Sequence, residues 1–257
     1  MATDVVSLTG VLPPELHPCI DHLVTDDGAP VDGIRSEKQM RLLTESIWSS
    51  WPGPADGQPF VVLANVGLFF EVGKPPLVPD VMLSLGVELI KDFRLKEAQS
   101  YFAWVYGKMP DVVVEIVSNR EGGENSTKLA ASARIGIPYY LIFDPELHLS
   151  DEPLQAYRLV DRKYQRLNEP IWLPGVELGV RLWHGTFDKL EETWLRWVDA
   201  NGDIIPTGYE RAEAEAQSAQ TERERAELER ARADAQSARA ERLAEKLRQL
   251  GIEPNGQ

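Results

Sequence analysis

Two charged residues stand out in the run MPDVVVEIVSNREGGENSTKL: Glu115, set among valines and isoleucine, and Lys128, at the head of the next periodic segment. Desolvating a carboxylate without a partner costs several kcal/mol, so Glu115 is either a strand-end residue reaching water or a member of a site. Asp111 lies an even number of residues away and would share a strand face with Glu115. Four extended residues, however, separate the two Cα atoms by roughly 13 Å, too far for both carboxylates to hold one ion with ligands at about 2 Å. Asp111 therefore reads as the wet start of the strand, and Glu115 needs a carboxylate from elsewhere.

Asp80, in LVPDVML, is the best supplier, because a neighbouring strand would bring it beside Glu115. Two carboxylates completed by water and substrate phosphate form the usual arrangement for Mg²⁺ or Mn²⁺. An ammonium from Lys128 beside them would stabilise charge on a phosphoryl group or orient an attacking water. Spacing alone leaves a second reading open: Asp80 as a turn residue, Glu115 as a strand-end charge and Lys128 as a surface lysine.

These residues need elements to position them. SEKQMRLLTESIWSSW spaces Met40, Leu43, Ile47 and Trp51 by three and four, which predicts an amphipathic helix with Ser36 as N-cap and Pro52 as its end. FVVLANVGLFFEV reads as two short apolar strands broken near Asn65 and Gly67, while residues 86–108 fit either a short helix or an aromatic-rich excursion. VVVEIV, the loop SNREGGENS, the helix STKLAASARIG capped by Ser126 or Thr127 and the strand PYYLIFD form a βαβ signature. LQAYRLVDRKYQRL predicts an antiparallel hairpin around DRK, and IWLPGVELGVRLWHG supplies further short strands. Trp194 and Trp197 are expected to pack rather than to bind a ligand.

From Tyr209 the composition turns to Ala, Glu, Arg and Gln, with Ala212, Ala219, Ala226, Ala233, Ala240 and Leu247 recurring every seven residues. Arg223, Arg230 and Ser237 interrupt the companion seam, so this long solvated helix forms at most a weak heptad. The expected organisation is an irregular lead-in over 1–33, an α/β domain over 34–208 with a mixed central sheet flanked by helices, and a helical or coiled-coil extension over 209–251.

The formal charge of −14 sits mostly in the body, where residues 1–208 hold 18 Lys and Arg against 30 Asp and Glu. Such a surface repels nucleic acid at long range, so contact would require a local basic patch or a metal ion. The lone Cys19 excludes an intrachain disulfide, and His17, His22, His148 and His184 lack metal-ligand spacing. No zinc-finger or phosphate-loop pattern appears. Without a basic leader or a membrane-length apolar run, a cytoplasmic protein with no membrane association is expected.

The ordered blocks LVPDVMLSLGVELI, DVVVEIVSNREGGENSTKLAASARIGIPYYLIFDPE and LQAYRLVDRKYQRL, followed by the tail ending RLAEKLRQLGIEP, carry a resemblance. Together with DDGAPVDGIRSEKQM they resemble the tailed subgroup of the bacterial "putative restriction endonuclease" family within the PD-(D/E)XK nuclease superfamily. The resemblance implies a restriction-endonuclease-like fold and Mg²⁺- or Mn²⁺-dependent hydrolysis of phosphodiesters, with DNA as substrate. It places Asp80 and Glu115 as the metal-binding acids. The simplest superfamily pattern has a lysine two residues beyond the glutamate, where this chain has Val117; the resemblance moves that lysine to Lys128. It also matches Glu37, on the first helix, to an acid that assists the metal, with Glu45 as a competitor on the same helix. The alternative is a non-catalytic interaction module that forms a homodimer, or binds a protein partner, through the C-terminal helix.

Overall fold

The computed structural model describes residues 16, 17, 19, 33–118 and 127–250. Most of the expected lead-in over 1–33, the loop at 119–126 with the candidate cap Ser126, and the expected helix stop at Gly251 lie outside the described residues. The chain divides into two compact units, Met1–Thr207 and Gly208–Gln257.

The first unit is built on a six-stranded mixed sheet in the order β1-β3-β5-β6-β7-β8. Its strands are β1 (Phe60–Ala64), β3 (Val81–Leu85), β5 (Val112–Ile116), β6 (Tyr139–Phe143), β7 (Leu154–Val160) and β8 (Lys163–Arg166). Within this sheet only β5 and β6 pair in parallel, joined through α3 (Leu129–Ile135), which is the βαβ unit legible in the sequence. Every residue of β3, β5 and β6 is buried, as expected of central strands covered on both faces. The β7–β8 hairpin turns at Asp161 and Arg162, both with positive φ, so the expected turn at DRK is a two-residue connection.

Alternation along these strands sorts two cores. On one face Val81, Leu83, Val112, Val114, Leu141 and Phe143 pack against Met40, Leu43 and Ile47 of α1 (Ile34–Ser50). A three-stranded sheet of β9 (Ile171–Leu173), β10 (Leu178–Phe187) and β11 (Leu190–Val198) joins this face through Leu178, Leu195 and Trp197. Both Trp194 and Trp197 are buried, so they pack as expected. A buried Gln39 amide fastens α1 to this sheet, donating to the Leu195 carbonyl at 2.9 Å and accepting from the Leu195 N–H at 2.9 Å. The Trp197 indole N–H donates to the Leu43 carbonyl at 3.0 Å.

On the other face Met82, Val113, Tyr140 and Ile142 pack with Tyr101, Tyr106, Val117 and Ile137, and Leu129 and Ile135 of α3 cover them. Residues 86–108 resolve as an excursion holding a 3-10 turn, β4 (Tyr101–Phe102) and the four-residue α2 (Ala103–Tyr106). The strand β4 pairs in parallel with β2 (Leu68–Phe69).

One helix start differs from expectation. The helix α1 begins at Ile34 after Gly33, without a side-chain cap, and Ser36 is buried inside its first turn. The helix α3 follows a wider turn at residues 127–128, so Thr127 lies within that turn, while Ser126, the other expected cap, is outside the described residues.

In the second unit, α4 (Gly208–Gln249) runs for 42 residues with none buried. No helix among the described residues is long and apolar enough to cross a membrane.

Candidate active site

The antiparallel register of β3 on β5 pairs Val81 with Val114, so one step further Asp80 stands opposite Glu115. Both side chains then leave the sheet on the face covered by α3. Asp80 lies just where the β3–β5 ladder stops. There its carboxylate accepts the Ile116 N–H at 2.5 Å, taking the place of the next ladder carbonyl. This holds the Asp80 carboxylate against the peptide that joins Glu115 to Ile116. On the opposite side of Asp80, Asn65 donates its N–H to the Asp80 carbonyl at 3.0 Å and adopts φ 52°. Asn tolerates that left-handed conformation, and there β1 leaves the sheet.

Glu115 is 3% exposed and Asp80 6%. Lys128, at the entry to α3, points its ammonium at the Glu115 carboxylate, with Nζ 2.9 Å from Oε2. The lysine side chain keeps 34% of its surface exposed against 4% for the glutamate side chain, so the ion pair opens toward solvent on the lysine side. Val117 is buried in the apolar core of this face, which leaves no place for a lysine two residues beyond Glu115. Lys128 reaches the same carboxylate from the next element instead.

Glu37 does not join this group through any contact seen in the structure. It sits in the first turn of α1, the helix that covers the opposite face of the sheet, and its side chain is 53% exposed with Arg41 Nε 3.8 Å away. Asp111 is less wet than expected: it accepts the Leu85 N–H at 2.8 Å and pairs with Lys108 at 2.6 Å, so it closes the far end of the β3–β5 ladder.

Gln155, which sequence reasoning missed, occupies the same transverse row as Asp80 and Glu115: Glu115 pairs with Ile142, and Ile142 with Gln155. Its buried amide donates to Ser150 Oγ at 2.7 Å and accepts from the Tyr157 hydroxyl at 2.6 Å. The available signal was a glutamine alternating with apolar residues in LQAY. Nearby, burial raises the hydroxyl pKa of Tyr164, which donates to the Ile137 carbonyl at 2.9 Å.

The donor set suits a hard cation. Two buried carboxylates and one ammonium leave a net negative charge where the dielectric is low, which favours a divalent ion. Among the described residues no group of three or more His, Cys, Asp or Glu gathers to hold a metal. Any ion at this place would rest on Asp80 and Glu115, with water or substrate oxygens completing its shell, as Mg²⁺ prefers.

No curated protein matches the chain. A family model does: Uma2, described as "Putative restriction endonuclease", matches residues 28–181, a span that includes Glu37, Asp80, Glu115 and Lys128. With more than half of its length matched by that model, the chain belongs to the Uma2 family, restriction-endonuclease-like and consistent with the PD-(D/E)XK superfamily.

Proposed function

We propose that this protein is a metal-dependent endonuclease that hydrolyses phosphodiester bonds in DNA at the Asp80–Glu115–Lys128 group. The observation that carries this reading is the buried Glu115 carboxylate beside Asp80, with an ammonium from a separate element 2.9 Å away. Two acids and one base, brought together from a strand, a strand end and a helix entry, form a charge set that can hold a metal ion and offset charge developing on a phosphoryl group.

Asp80, oriented by the Ile116 N–H, and Glu115, oriented by Lys128, are the residues that would hold Mg²⁺ or Mn²⁺. Such an ion, when bound, polarises the phosphate and acidifies a water. The Lys128 side chain is partly exposed and its ammonium has three donors, so it can donate to a phosphate oxygen or a water while remaining against Glu115. Its positive charge offsets the negative charge that builds on the phosphoryl group as a water oxygen bonds to phosphorus and an ester oxygen departs with its electron pair. Glu37 is left as a helper from the family resemblance alone.

A non-catalytic module has one observation in its favour, the acidic body, which disfavours DNA at long range. Incubating the full chain with plasmid and linear DNA in Mg²⁺ or Mn²⁺ separates the two. Nicking or cutting by the wild type that is lost in Asp80→Asn, Glu115→Gln and Lys128→Met supports the nuclease. Equal cleavage by Asp80→Asn, or no cleavage of any DNA by the wild type, sinks it.

A further inference from the structure

We infer that α4 is a dimerisation helix that pairs antiparallel with α4 of a second copy of this chain. Ala-rich composition explains why the segment is helical, but not how its charges are arranged. Residues 208–229 hold seven carboxylates against three arginines, net −4, and residues 230–250 hold six basic residues against three acids, net +3. The helix is therefore acidic along its first half and basic along its second.

Neither of the two intrahelical causes of such a pattern fits. Charges that complement the helix dipole act within the first and last turns. Here the segregation extends to the centre, where Glu227 and Glu229 meet Arg230 and Arg232. A helix stabilised by its own ion pairs favours an acid followed by a base four residues later. No acid of α4 has Lys or Arg at that position, and the pairs four apart run in the reverse order, as in Arg211–Glu215. Arg does follow Glu222, Glu227, Glu229 and Glu245 by three, with Glu245 and Arg248 paired at 2.7 Å, but such pairs join neighbours one turn apart and leave the separation of a −4 half from a +3 half unexplained.

A second copy accounts for the pattern. Laid parallel in register, the two acidic halves face each other, and so do the two basic halves. Laid antiparallel, each acidic half lies along a basic half. The charge boundary between residues 229 and 230 is also the midpoint of the seven-residue repeat from Ala212 to Leu247, so one two-fold axis serves both. That axis brings Ala212 to Leu247, Ala219 to Ala240 and Ala226 to Ala233 along the seam, and it puts Glu213 level with Lys246, Arg225 with Asp234 and Glu227 with Arg232, with Arg211 and Arg248 as the like-charged pair at one level. Small alanines along the repeat let the two backbones approach, and Leu243, 53% exposed and three residues after Ala240, supplies apolar surface to cover.

The test uses full-length chains with Cys19→Ser, carrying either Ala212→Cys or Leu247→Cys, seam positions that the two-fold axis brings together, each checked for helix content by circular dichroism. In the antiparallel pair, positions 212 of the two chains lie roughly 50 Å apart at 1.5 Å per residue. Mild oxidation of an equimolar mixture should then yield the mixed 212–247 disulfide dimer, with little product from either variant alone. A 212–212 dimer as the main product would mean parallel pairing. Wild-type protein that sediments as a monomer at every concentration would remove pairing altogether, and either result overturns the inference.

Discussion

Replacing Lys128 with methionine should reveal how strongly the site depends on that ammonium before any metal is added. At the observed 2.9 Å, an effective dielectric of about 20 gives a gross attraction to Glu115 of about 6 kcal/mol. The lysine is one-third exposed and the ordering of its side chain opposes the gain, so much of this is offset. What remains is the cost of stranding a buried carboxylate next to Asp80, and Lys128→Met should destabilise the metal-free protein by about 2–3 kcal/mol. Glu115→Gln removes the buried charge and leaves a lysine that can turn to water, which should cost about 1 kcal/mol or less. The double variant should resemble Glu115→Gln, so that the double-mutant cycle returns a coupling equal to the Lys128→Met cost, about 2–3 kcal/mol. Urea unfolding with a chelator present measures all four proteins. A Lys128→Met cost no larger than that of Glu115→Gln, or a coupling below about 0.5 kcal/mol, would refute the claim that Lys128 compensates a desolvated Glu115.

Asp80→Ala should cost about 1–3 kcal/mol because the Ile116 N–H loses its acceptor, while Asp80→Asn retains an oxygen there and should stay near wild-type stability in the same unfolding assay. Gln39→Met keeps the shape of the side chain but strands the Leu195 N–H and carbonyl, and a loss of about 2–4 kcal/mol in urea unfolding is expected. Hydrogen bonds from Lys38 and Arg41 hold the Asp188 carboxyl below its ordinary pKa. Its stabilisation is therefore full above the unfolded value of about 3.9 and fades as pH falls through the lower folded value. Thermal unfolding of Asp188→Asn across the acid range should show a smaller acid-side drop than wild type, and an unchanged slope would exclude that clasp.

The parts of the site that were legible in the sequence are those where one residue contradicts its surroundings. Glu115 in a valine run and Asp80 after Pro79 announce themselves because burial of an acid needs a reason. Their juxtaposition depends on strand register, and a sequence can suggest adjacency without supplying the pairing of Val81 with Val114. Lys128 is similar: the missing lysine at Val117 shows in the sequence, but the 2.9 Å reach from the start of α3 is a tertiary fact. Glu37 illustrates the opposite limit. The spacing of Met40, Leu43 and Ile47 identifies an amphipathic helix, yet periodicity carries no information about which face of the sheet that helix covers. The Ser36 cap went the same way, since the helix is anchored by Gln39 and its apolar stripe rather than by its first turn. The β9–β11 sheet was legible only as short strands, because its pairing closes over α1 from far along the chain.

The central claim is that Asp80 and Glu115 together hold a divalent cation with Lys128 beside it. Calorimetric titration of Mn²⁺ into the full chain tests it most directly. The account predicts one binding event in the wild type that disappears in Asp80→Asn and in Glu115→Gln. In Lys128→Met the event should strengthen by roughly tenfold or more, because a positive neighbour has been removed, even though cleavage is lost. No event in the wild type, or one that survives Glu115→Gln unchanged, would contradict the account.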